Sequence, residues 1–229
     1  MMAPCNPPKR PAAIELIRMI SGPRVDVYVG PGRKHYSLPK DLLCHYSTYF
    51  DRCFNGAFKE ANQQKLSLPE DKVKDFEVLM EYMLSGTTAT FEVTEIGGAA
   101  VVACMDFLRY ADKYTMGYVG QIIEEPLRKA LEHLSNLAHQ VKKPKDPVRP
   151  EGITGDDIEL VFRTSPANSR LRAVVVLGAI AYNGPKGMSR FVKQEQTVDG
   201  FAAEVCDNVR SVVYSLKYWN PHTGKSMTQ

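Results

Sequence analysis

The chain has 229 residues, enough for one domain and a further helical part at ~150 residues per domain. Its 44% apolar and 24% charged residues fit a globular protein and exclude a disordered or fibrous one. A net charge of +3 points away from a nucleic-acid binder and from avid membrane binding.

Residues 1–12 are rich in Pro, Asn and basic side chains and are expected to be disordered. They do not read as a signal peptide, because the segment Ile14–Ile20 behind them is interrupted by Glu15 and Arg18. Ala13–Ile20 is a short helical pattern with Ile14 and Ile17 on one side and Leu16 and Ile20 on another, so it needs two surfaces to cover it. Val25, Val27 and Val29 then alternate with Asp26, Tyr28 and Gly30 as in a strand. Gly30-Pro31-Gly32-Arg33 suits a tight turn, with Pro31 presetting φ and Gly32 accepting a positive φ. Tyr36 and Leu38 alternate on the returning strand, and Pro39 ends it and opens a helix. Ser47 reads as the N-cap of the next helix. Phe50, Phe54 and Phe58 follow at steps of four as a core ladder, with Phe58 packing from the loop beyond Gly56.

Lys65–Leu68 reads as a strand with Leu66 and Leu68 inward. Lys72–Ser85 is a helix with Phe76, Leu79, Met80, Met83 and Leu84 on one face, closed by Gly86. Thr87–Val93 reads as loop and strand, and Gly97–Tyr114 as a helix with the stripe Val101, Met105, Leu108 and Ala111. The next helical stretch starts near Met116 and runs through Leu134, with Pro126 at a kink or break between two pieces. Pro144, Pro147 and Pro150 among Lys142, Lys143, Lys145 and Arg149 mark a linker. Beyond it Thr154 is placed to cap a helix carrying Ile158, Val161 and Phe162. Asn168 or Ser169 starts a second, with Leu171, Val174, Val175 and Ala179. Val198–Leu216 is a third, with Phe201, Val205, Val209 and Val212, and Trp219 is expected to pack against it.

No catalytic arrangement emerges. Cys44 and His45 are neighbours, and adjacent helical residues do not face each other. The other histidines show no metal-ligand spacing, and the turn at Gly30 lacks the ending of a phosphate loop. Asp26 reads as locally paired. Cys5, Cys44, Cys53, Cys104 and Cys206 are scattered without CxxC spacing, as in reduced thiols of an intracellular protein, cytoplasmic or nuclear. No cofactor is implied. The run 173–181 is far short of the ~20 apolar residues that span a bilayer.

Several of these segments together resemble the BTB/POZ domain. They are Val25-Asp26-Val27, Tyr36 and Leu38, Leu42-Leu43, Ser47 with Tyr49-Phe50, and Phe54, Gly56, Phe58 and Glu60. Far along the chain, Leu108 with Ala111-Asp112-Lys113-Tyr114 resembles the family's L-x-x-A-D-K-Y. Pro39-Lys40 departs from the histidine many members carry there. Val161-Phe162-Arg163-Thr164-Ser165 with Leu171-Arg172-Ala173 is similar to the tail of stand-alone fungal BTB proteins.

The resemblance implies an α+β fold: a small, mostly antiparallel sheet capped by helices, followed by a helical C-terminal region. The domain would cover 13–135, the linker 136–152 and the helical region 153–219. It implies a protein–protein interaction module and not an enzyme; a hydrolase would need a convergent polar site that no spacing announces. A homodimerising scaffold or adaptor would present Ile14, Ile17, Val25 and Val27 to its copy. A substrate adaptor of a cullin-type ubiquitin ligase would turn Tyr82, Leu84, Val93 and Glu95 toward the cullin.

Overall fold

The computed structural model describes residues 10–88, 97–140, 152–181, 190–215, 218–220 and 225–227, with backbone alone at 137–140 and from 212 on. The chain divides into two compact units, Met1–Gly152 and Ile153–Gln229.

The first unit is built on a three-stranded sheet in the order β2-β1-β3. β1 (Arg24–Val29) and β2 (Lys34–Pro39) form an antiparallel hairpin that pairs Val27 with Tyr36. The turn carries Pro31 and Gly32 at its centre, with the Arg33 N–H bonded to the Gly30 carbonyl at 3.0 Å. Positive φ falls on Gly30 and Arg33, not on Gly32, so the two central residues need no left-handed glycine. β3 (Lys65–Leu68) lies parallel to β1, with Leu66 beside Val27 and Leu68 beside Val29. The sheet is therefore mixed, with its longer pairing antiparallel. The cause is the intervening crossover of α2 (Lys40–Tyr46), α3 (Thr48–Asn55) and α4 (Lys59–Gln63), which returns the chain in the same direction.

The valines of β1 are 0–1% exposed, and Leu42 and Leu43 of α2 and Phe50 and Phe54 of α3 are buried as well. Ser47 caps α3 by accepting from the Phe50 N–H at 3.1 Å, and its own hydroxyl donates to the Tyr114 carbonyl at 2.6 Å. Phe58 is 60% exposed and lies outside the core. Gly56 ends α3 before the helical repeat can bring Phe58 round to the buried side. Before the sheet stands α1 (Ala13–Ser21), led in by Pro11, which is buried; residues 10–12 are thus part of the fold.

α5 (Val73–Ser85) and α6 (Gly98–Lys113) pack on each other. Phe76, Leu79, Met80 and Met83 of α5 are buried, as are Val101, Met105, Leu108 and Ala111 of α6. α7 (Gly120–Gln140) is one helix with Pro126 inside it, so no break divides it. Pro126 is its seventh residue, beyond the four unpaired donors of the first turn, so the helix runs through it at the cost of one i→i−4 hydrogen bond. α7 continues to Gln140, into the span read as linker; the basic proline run that follows lies outside the described residues.

In the second unit α8 (Gly155–Thr164) opens with a capping box between Thr154 and Asp157. α9 (Arg170–Ala181), α10 (Val192–Thr197) and α11 (Phe201–Ser215) follow. The C-terminal part is not entirely helical: β4 (Tyr218–Asn220) and β5 (Lys225–Met227) pair antiparallel, with Trp219 opposite Ser226. Trp219 therefore sits on a strand; the surroundings of its side chain lie outside the described residues.

Candidate protein-interaction surfaces

α1 is the first candidate. Its Leu16 and Met19 are half-buried against its own domain, where the helix packs on α2 and β2. Ile14, Ile17 and Ile20 are 70%, 60% and 39% exposed. They recur every third residue and so share the outward side. A helix this short is marginal by itself, and packing rather than propensity holds it. The parts of the three isoleucines turned to solvent add nothing to that packing.

Val25 and Val27 do not join this surface. Both point into the sheet's covered face and serve the core of their own domain. Strand alternation turns Arg24, Asp26 and Tyr28 outward instead. Asp26 is paired locally, as expected, with His35 Nε2 at 2.8 Å. Tyr28 stacks on the His35 ring with centroids 5.0 Å apart, and Arg33 lies 5.2 Å from the Tyr28 ring.

The end of α5 is the second candidate. Tyr82 is buried there, edge-on to Tyr46 of α2 at 5.7 Å and to Phe107 of α6 at 5.6 Å. Burial pushes its phenol up to about 12. Tyr82 is thus a packing residue with its face already occupied, not a surface contact. Leu84, read as part of the inward stripe, is 46% exposed at the stripe's edge. Val93 and Glu95 lie outside the described residues.

What binds the first unit together is a polar node that sequence reading missed. Asp71, 5% exposed just after β3, accepts from the Tyr110 hydroxyl at 2.7 Å, from the Tyr114 hydroxyl and from Lys113 Nζ. Burial pushes this carboxyl upward. The bonds from Lys113, Tyr110 and Tyr114 together outweigh it and leave the group below its usual range. Both phenols are raised, first by burial and then by the Asp71 hydrogen bond. Lys113 and Tyr114 of the Asp112-Lys113-Tyr114 run therefore fasten the end of α6 to the β3–α5 loop. Tyr114 also stacks on Phe50 at 4.9 Å.

In the second unit Arg172 plays the corresponding part. Its side chain is 11% exposed. Nη2 donates to the carbonyls of Phe162 and Ser165 at 2.6 and 2.9 Å, at the negative end of α8. Nη1 reaches Glu204 of α11 at 3.2 Å, and the guanidinium lies 4.5 Å from the Phe162 ring centroid. One side chain so joins α8, α9 and α11. A basic residue immediately before the apolar run of α9 was the signal for it.

Among the described residues no group of three or more His, Cys, Asp or Glu is placed to hold a metal ion. Nor is any helix among them long and apolar enough to cross a membrane.

Residues 21–131 match the model of the BTB/POZ domain. The chain is a BTB/POZ-domain protein, and the domain is a protein–protein interaction module. The match spans the sheet and its helices; most of α1 precedes it and the second unit follows it. No curated protein matches the chain.

Proposed function

We propose that the protein is a homodimerising scaffold or adaptor whose α1 packs against α1 of a second copy. The observation that carries this reading is the outer face of α1, where Ile14, Ile17 and Ile20 are exposed while the opposite side rests on its own domain. A two-fold axis beside such a stripe makes it self-complementary. Covering each isoleucine would contribute roughly 1–2 kcal/mol. Light scattering tests it: the mass should approach twice 25.6 kDa and fall on dilution. A mass of 25.6 kDa held at high concentration would defeat the reading.

A second reading is a substrate adaptor of a cullin-type ubiquitin ligase. Leu84, 46% exposed at the end of α5, favours it, and Val93 and Glu95 would complete the contact. Titration calorimetry with the N-terminal domain of the organism's own BTB-binding cullin is the test. Heat that disappears in folded Leu84→Asp supports an adaptor, and absence of heat removes it.

A further inference from the structure

We propose that the segment around Arg10 and Pro11 is a strap closed over the C-terminal end of α5, so that this end of the helix opens to a partner when the strap lifts. α5 finishes at Ser85, and Gly86 follows in the left-handed region at φ 76°, its N–H bonded to the Tyr82 carbonyl at 2.8 Å. The last carbonyls of a helix carry its negative end, which favours a cation. Arg10 supplies one. A Cβ built on Gly86 would stand 3.1, 3.2 and 3.3 Å from the Nε, Cζ and Cδ of Arg10, so the side chain lies directly against the glycine.

The same charge reaches Tyr46, the aromatic neighbour of Tyr82. Burial raises the Tyr46 phenol, and Arg10 pulls it partly back. Pro11, next in the chain, is buried, which gives the strap an apolar anchor beside its ionic one. Arg10 itself is exposed, so its hold is weak enough to release. A cation at an exposed helix end changes an equilibrium by about two- to fivefold. Ala12 passes the strap directly into α1, its carbonyl accepting from the Leu16 N–H at 2.9 Å. Lifting the strap would thus disturb the start of the helix that carries Ile14 and Ile17. A partner that displaces it must bring its own positive charge for the end of α5, and Leu84, 46% exposed with the strap in place, offers that partner an apolar contact.

The gating rests on the cullin reading; the closure does not. The test uses the full chain and Arg10→Glu. Amide exchange at Gly86 and Thr87 reports the closure, and calorimetry with the cullin N-terminal domain reports the gating. Arg10→Glu should exchange about two- to fivefold faster and bind the cullin domain tighter by a similar factor. Unchanged exchange would overturn the strap whether or not a cullin binds. Faster exchange with cullin binding no tighter would overturn it as a gate. Faster exchange with no heat from either form would support the closure and remove the ligase reading alone.

Discussion

Replacing Asp71 by Ala tests how the first unit is held together. The carboxylate is the shared acceptor of the Tyr110 and Tyr114 hydroxyls, which belong to residues 7% and 0% exposed. Without it both donors are stranded in the interior, at about 1–3 kcal/mol each. Lys113 is half-exposed, returns to water and adds little. The expected loss is about 2–6 kcal/mol, a large part of the ~5–15 kcal/mol that holds a typical domain. Urea unfolding should show a lower midpoint with unchanged slope. Asp71→Asn, which keeps an acceptor, should lose less. Because the folded carboxyl sits below its ordinary value, its stabilisation is present above the unfolded pKa of ~3.9 and is lost as pH falls through the lower folded value. The gap between parent and Asp71→Asn should therefore close on acidification below about pH 4. A loss under about 1 kcal/mol for Asp71→Ala at neutral pH would refute the reasoning.

Ser47→Ala removes the cap of α3 and strands the Tyr114 carbonyl, so chemical unfolding should register a loss of about 2–3 kcal/mol. Arg172→Met should loosen the second unit, read as faster amide exchange in α8 and α11, because two carbonyls and Glu204 lose their partner. Cys104, pushed up to about 12 by burial, and Cys44, pushed up to about 11 by burial first and Asp51 next, should resist alkylation at neutral pH. Exposed Cys206 should be labelled before either, and mass mapping of the labelled peptides checks the order.

What could be read without coordinates is what neighbours in sequence decide. The valine alternation, the Ser47 and Thr154 caps and the stripes of α5 and α6 each follow from residues a few positions apart, and the structure has them. The differences arise where distant contacts decide. Tyr82 stands off the helical stripe of α5, yet Tyr46 and Phe107 bury it, while Leu84 at the edge of that stripe stays open. The parallel placement of β3 depends on the direction of a helical crossover, which strand periodicity does not record. Asp71 gives no local signal, because its partners Tyr110, Lys113 and Tyr114 lie far along the chain. Of the proposed interface residues, Ile14 and Ile17 are open to solvent. Val25 and Val27 are not, because an alternating strand buries one face and they are on it.

The central proposal, a dimer formed through α1, is tested most directly by sedimentation equilibrium of the parent chain beside Ile14→Asp/Ile17→Asp. Both positions are exposed in the single chain, so the double variant should keep its circular dichroism spectrum, and its unfolding midpoint should fall only by what dimerisation contributes to the parent. A parent near twice 25.6 kDa and a folded variant at 25.6 kDa is the predicted result. A variant as dimeric as its parent, or a parent that is monomeric throughout, would contradict it.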